Sequence, residues 1–294
     1  AARTAPPERR ELPVPPLPEA DCTAEAPRLT ISVARLEQLS PALLELGCPA
    51  RVYIPLEEVS RLESLPGEGP EWCAVLPRVW RDRDEPALRT LLERARALGF
   101  TGVLIGNLGH LPLVRGLNFH LYGDYGLNVF NSRSLAYLKD KELESACVSF
   151  ELRFAQIRDL KKVLRAEAIV YGRLPLMITE NCLVQNETGC RLDRQGPCVP
   201  EDGPCRCGQP NVLVDRTGAA FPLLPAYGHR TEIQNSKPLY LADRPEHRRL
   251  GLAYARLRFT TETAEECVSV VQNYLDAAPA AGDFTRGLYE RGVE

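Results

Sequence analysis

The sequence predicts an α/β protein of the TIM-like (β/α) barrel class, complete or one step short of closure, with a Cys-rich insertion of short β-strands. Three observations lead there. Apolar strand-like runs recur along the chain, several of them separated by amphipathic helical stripes, which is the pattern of a parallel sheet covered by helices. Eight such runs are present, the number a closed barrel needs. The alternation breaks over residues 179–245, where Cys, Pro, Gly and Asn accumulate, and resumes afterwards. A doubly wound open sheet fits the same periodicity, which by itself does not separate the two.

In chain order, residues 1–27 are rich in Pro, Ala and charge. They cannot bury enough apolar surface to offset the entropy of ordering, and they read as a linker or tail. A barrel-like domain then covers residues 28–178 and 246–294, interrupted by the insertion at 179–245. Its expected strands are residues 29–33, 51–55, 73–79, 102–107, 118–124, 146–151, 168–173 and 252–259. Between 82 and 100, Leu88, Leu91, Leu92, Ala95 and Leu98 fall on one helical face, with Pro86 near its start and Gly99 past its end. Phe154, Ile157, Leu160 and Leu164 form a second stripe, in a helix expected over 154–166. Thr263 and Glu266 make a capping box before a face of Cys267, Val270, Val271 and Tyr274. Inside the insertion, short strands are expected in "NVLVDRTG" and "AFPLLPAY", and the whole is too long for a plain loop.

Composition is that of a globular protein: 44% hydrophobic and 26% charged residues in a chain of 294, enough to bury a full core. The net charge of −3 gives no general pull toward nucleic acid or anionic membrane, though a local basic patch stays open. No apolar run approaches the length of about 18 residues that a membrane helix needs, so a cytoplasmic location without membrane contact is expected. The chain starts at Ala1 without a signal-peptide core and reads as the cut end of a longer polypeptide, whose upstream domains would be partners.

In a (β/α) barrel, chemistry sits at the C-terminal ends of the strands. The polar residues expected there are Asn107, Asp124, Asn128, Glu151, Tyr171 and Arg173, with Glu180 and Asn181 close behind. Asn and Asp commonly cap helices and shape turns, and Asn131 before "SRSLAYL" is read as a cap. Caps do not call for Glu or Arg, so Asp124, Glu151 and Arg173 are the better pocket candidates. His110 and His120 are read as structural, and four histidines offer no Ser-His-Asp or Cys-His arrangement.

Five of the ten cysteines crowd into residues 182–207, at Cys182, Cys190, Cys198, Cys205 and Cys207. Cys147 and Cys267 sit where small apolar core residues would serve. A clustered set of thiolates in a chain without secretory features favours metal over disulfides. Spacings of 8, 8, 7 and 2 lack the paired knuckles of a zinc ribbon. Iron–sulfur clusters accept ligands from separate loops. His229 follows as a further donor, and a disulfide such as Cys198 with Cys205 stays a minority reading.

The segments "GVLIGNLG", "YGDYGLNVFNS", "VSFELRFAQIRDL", "EAIVYGRLPLMITENC", "LVDRTGAAFPLL", "HRTEIQNSKPLYLADR", "LRFTTET" and "FTRGLYERGVE" resemble, in order, the peptidase U32 family. That group takes in collagenase-like proteases and hydroxylases of RNA bases and ubiquinone precursors. The resemblance covers residue 100 to the end, more loosely 29–100, and is similar to the C-terminal portion of a long multi-domain member. It implies a TIM-like barrel and, in several members, a [4Fe–4S] cluster on four cysteines. Cys182 then matches the first ligand and Cys190 the second, with Cys205 or Cys207 as a third. The fourth family cysteine precedes the R-x-x-I-x-N-S motif, and here that position is His229. Zinc is the alternative metal. A family His-Gly pair is replaced by Tyr171-Gly172.

Three functions follow as expectations. The first is cluster-dependent hydroxylation of an RNA base or small aromatic substrate held by the barrel rim. The second is the peptidase activity implied by the family name, for which no nucleophile–base pair is evident. The third is a non-catalytic domain with a structural metal site.

Overall fold

The computed structural model describes residues 13–20, 23–188 and 209–293. In chain order the elements are β1 (Arg28–Ser32), α1 (Pro41–Gly47), β2 (Arg51–Pro55), α2 (Leu56–Val59), β3 (Glu71–Val75), α3 (Glu85–Ala97) and β4 (Gly102–Ile105). Then come α4 (His110–Val114), β5 (His120–Gly123), α5 (Ser132–Asp140), β6 (Ser145–Cys147), α6 (Phe154–Asp159) and β7 (Arg165–Gly172). Between β7 and the last barrel strand come β8 (Pro175–Thr179), α7 (Leu183–Thr188), β9 (Asn211–Val214), β10 (Ala220–Ala226), β11 (Arg230–Gln234) and β12 (Leu239–Tyr240), so the cap begins four residues before the expected insertion. The chain returns with β13 (Tyr254–Arg258) and α8 (Ala264–Leu275).

Strands β1 to β7 pair in parallel sequence, and β13 lies parallel between β7 and β1. The sheet therefore closes on itself as an eight-stranded parallel barrel, which decides against the open sheet. β12 adds antiparallel to the upper end of β7, where the short β6 leaves it uncovered. Strands β8, β11, β10 and β9 form a separate four-stranded antiparallel sheet, the cap. Among the described residues, no helix is long and apolar enough to cross a membrane.

The helices bury the stripes that the periodicity indicates. In α3, Leu88, Leu92 and Ala95 are buried while Leu91 and Leu98 pack at the margin. In α8, Thr263 Oγ1 accepts the Glu266 N–H at 3.3 Å and Glu266 Oε2 accepts the Thr263 N–H at 2.8 Å, closing the capping box. Asn131 caps α5 through the Ser134 N–H at 2.9 Å. Cys147 and Cys267 are fully buried in the outer core between strands and helices. Helix α6 differs from the sequence expectation and stops at Asp159 rather than near 166. Lys162 Nζ turns back onto the carbonyls of Ile157 and Arg158, capping the last turn and releasing the chain into β7.

Inside the barrel the apolar content is small: Tyr53, Cys73, Leu104 and Tyr122, with Val75 beside them. The remaining interior is polar. At its N-terminal floor Arg51 donates to Glu71 (2.9 Å), Ser145 (2.9 Å) and the Tyr254 hydroxyl (2.9 Å), its guanidinium sandwiched between the Tyr122 and Tyr254 rings.

Gly172 ends β7 with φ +118, and a Cβ there would stand 2.0 Å from the Arg258 carbonyl oxygen. Gly218 has φ +84 with nothing within 4 Å. Gly172→Ala should therefore cost about 3 kcal/mol or more, against about 1 for Gly218→Ala, read as the difference in urea midpoints. Equal costs at the two positions would contradict the close packing of β7 on β13.

Candidate functional site

The C-terminal mouth of the barrel is assembled from strands that each contribute an inward polar side chain. Arg256 on β13 is 1% exposed and lies at the centre. Its Nε donates to Glu167 on β7 at 3.1 Å, its Nη2 pairs with the same carboxylate, and its Nη1 with Asp124 at the end of β5. Glu167 also accepts from Thr30 on β1 (2.6 Å) and from the Tyr53 hydroxyl on β2 (3.1 Å). Burial alone would lower the Arg256 pKa, but Glu167 and Asp124 hold it well above the ordinary arginine value. The guanidinium is a permanent buried cation.

One layer higher, Arg258 and Arg78 meet a single carboxylate, Glu232 of the cap strand β11. Arg258 Nη2 lies 2.9 Å from Glu232 Oε2 and Arg78 Nη1 3.0 Å from Oε1. The Tyr125 hydroxyl stands 3.3 Å from the same Oε1. Burial, and then the neighbouring Glu232 carboxylate, push the Tyr125 phenol up, so it remains a donor. Arg258 further donates to the Arg173 carbonyl (2.6 Å) and to Gln234 (2.8 Å). Glu232 is 12% exposed in its side chain. The cap sheet thus places its own acid in the opening where a barrel enzyme would place substrate. At the edge of the cap, Glu180 bridges Arg81 (2.9 Å) and Arg230 (3.0 Å).

The sequence-predicted residues disperse. Asp124 is buried and bound to Arg256. Asn107 lies exposed on the rim, its Oδ1 accepting the Gly109 N–H at 2.8 Å. Asn128 is exposed and closes a turn with φ 52. Glu151 is exposed, beyond the end of β6. Tyr171 turns outward into the core, its hydroxyl donating to Glu262 at 3.1 Å among the rings of Tyr240, Phe259 and Tyr274. Arg173 donates to the carbonyls of Asn235 (3.1 Å) and Ser236, tying β7 to the end of the cap. His110 is buried with Nε2 on the Pro77 carbonyl at 3.1 Å, and His120 pairs with Glu144 at the surface.

Of the expected metal ligands, Cys190, Cys205 and Cys207 lie outside the described residues, as does Cys198. Cys182 is 8% exposed and its Sγ accepts the Gln185 N–H at 3.4 Å. His229 is half-buried in the β10–β11 turn with φ 59. The β8–β11 ladder ends at the Thr179–Thr231 pair, and just beyond it Glu180 is paired with Arg230, the residue after His229. Leu183 N–H bonds to Thr231 Oγ1 at 3.0 Å, fixing the Cys182 turn on β11. Among the described residues, no three Cys, His, Asp or Glu side chains converge as a metal site.

The mouth residues that matter most, Arg78, Glu167, Glu232, Arg256 and Arg258, were missed from sequence. A signal existed in "YARLR", where arginines alternate on a strand otherwise fit for the core.

A closed parallel barrel with an antiparallel cap over its C-terminal mouth defines a capped (β/α)8 protein. The chain belongs to peptidase family U32, whose sequence model matches residues 65–210. The structure of the U32 peptidase Mk0906 is similar at a TM-score of 0.43 and 8% identity, over 87% of this chain and 98% of that one. A protein assigned as a deoxyribose-phosphate aldolase from Coccidioides immitis follows at 0.32 and 13%, over 54% and 78%. No protein of curated function matches the chain.

Two outcomes are expected. Arg256→Leu leaves Glu167 and Asp124 as buried, uncompensated acids and should cost about 3–5 kcal/mol in chemical denaturation. Burial holds the His110 imidazole at about 4, below its ordinary 6.5. The unfolded chain therefore binds the proton more tightly. The neutral form's contribution is full above pH 6.5 and is lost as pH falls toward 4, about 3 kcal/mol in all. His110→Gln should flatten that part of the stability–pH curve.

Proposed function

We propose that this chain is a metal-holding barrel domain of the U32 family that does not itself hydrolyse peptides. The observation that carries this reading is Glu232 seated between Arg78 and Arg258 in the barrel mouth. A substrate reaching for the barrel axis would have to displace a carboxylate held by two guanidiniums, a charge-assisted arrangement among the stronger in proteins. Hydrolysis also needs an activated nucleophile. Thr30 donates to Glu167 at 2.6 Å, but both are closed off inside the barrel and Glu167 is bound to Arg256.

The cap is the seat proposed for a [4Fe–4S] cluster, with zinc as the alternative. The donors are Cys182 and Cys190, completed from Cys205, Cys207 and His229. Their chemistry fits either metal, since thiolate and imidazole suit both. The buried Cys182 Sγ, already receiving an N–H, supports the assignment. A bound cluster would supply electron transfer; zinc would supply a structural cross-link between β8 and the rest of the cap.

A second reading, cluster-dependent hydroxylation of an RNA base or small aromatic, is favoured by one placement. Cys182 stands two residues after Glu180, whose carboxylate reaches Arg81 and Arg230 on the rim. A cluster on Cys182 would lie beside the mouth rather than remote from it.

Anaerobic purification with iron, sulfide and zinc analysis separates these readings. A structural site should give one zinc, or one cluster with absorbance near about 400 nm, and no gelatin cleavage. Cys182→Ser should lose the metal and melt at lower temperature. Gelatin cleavage that persists in pure protein would overturn the non-peptidase reading, and a metal-free chain of undiminished stability would remove the metal centre. Metal-dependent oxygen incorporation into a nucleoside or phenol would move the second reading to first place.

A further inference from the structure

With the axis of the mouth filled by Glu232, one open concavity on the rim lies to the side, at the loops that follow β3, β4 and β5. It is a concavity of about 410 Å³, within the range of small-molecule sites. Its features differ from those of the mouth. Arg78 lines it with a side chain 33% exposed. The bonds that fix this guanidinium run through Nη1, to Glu232 at 3.0 Å and Tyr125 at 3.4 Å, and its carbon sits 5.2 Å from the Tyr125 ring centre. The group is held in orientation by one corner, so the opposite Nε–Nη2 edge presents a fork matched to a carboxylate.

Asn107 stands beside it. Its Oδ1 accepts the Gly109 N–H at 2.8 Å, which leaves the amide NH2 as the end able to donate to a ligand. Val79, Leu127 and Leu108 add apolar lining, the last 44% exposed, and Gly106 and Gly126 complete it. The floor is kept free of side chains by packing. A Cβ on Gly126 would stand 2.6 Å from the Gly106 carbonyl oxygen.

We propose that this concavity is a binding site for a small carboxylate with a short aliphatic body. The head group engages Arg78 and Asn107, and the body lies on Leu108 and Leu127. Because the site is shallow and open, its affinity is millimolar. The inference does not depend on the metal or on the barrel's lack of hydrolysis, so it can fail without the proposed function failing.

The probe is isovalerate, with isovaleramide as its uncharged isostere, titrated into the whole chain and followed by heteronuclear NMR. Isovalerate should saturate in the millimolar range and the amide should bind at least ~10-fold more weakly. Leu108→Asp, at an exposed position, should weaken isovalerate at least ~10-fold with an unchanged melting temperature. Arg78→Lys keeps the charge toward Glu232 but loses the fork, and should weaken it about 5-fold or more. Absence of saturation by about 50 mM, equal affinity for acid and amide, or equal affinity in Leu108→Asp would each overturn the proposal.

Discussion

The structure turns on one buried cation. Arg256 sits on β13 with its guanidinium shared between Glu167 of β7 and Asp124 at the end of β5. Through Glu167 the same network reaches Thr30 of β1 and Tyr53 of β2. Taking such charges out of water costs several kcal/mol each, and the cost is offset only when partners and geometry are complete. Every inward strand in that network must therefore hold its register. A slip by one residue on β13 would turn Arg256 and Arg258 into the outer apolar layer, where no acid waits.

The second consequence lies above. Arg258, two residues on, points the same way as Arg256 because side chains alternate along a strand. It emerges at the mouth, where Arg78 meets it from the loop after β3. Two guanidiniums facing one another need an anion, and β11 supplies Glu232. The cap is thus joined to the barrel by charge as well as by covalent connection. The strand that carries Glu232 also carries Thr231, which fixes the Cys182 turn, and Arg230, which holds Glu180. Mouth and proposed metal seat share one rigid element.

The Tyr171-Gly172 pair has a structural rationale of its own. Tyr171 packs into an aromatic group with Tyr240, Phe259 and Tyr274, and its hydroxyl is taken by Glu262. Gly172 turns with positive φ directly against the Arg258 carbonyl. A side chain at 171 that belongs to the outer core cannot also serve the mouth. The position therefore contributes packing here, whichever residue other family members carry.

Local pattern determined a good deal of this protein. The eight barrel strands, the faces of α3 and α8, the Asn131 cap, the Thr263–Glu266 box and the core positions of Cys147 and Cys267 all follow from periodicity and cap chemistry, which act over a few residues. The extent of α6 did not, because Lys162 ends it through a side-chain contact that the apolar stripe does not encode. The polar residues near strand ends were legible as a set but not as a site: Asp124 turned inward, while Asn107, Asn128 and Glu151 stayed outside. What only the tertiary structure decided is the pairing of charges. Arg78, Asp124, Glu167, Glu232, Arg256 and Arg258 are scattered over 181 positions of sequence and come together because the barrel closes and the cap folds over its mouth. Long-range ion pairs carry no local signature beyond a charge on a strand built for the core, so closure had to be seen before the site could be.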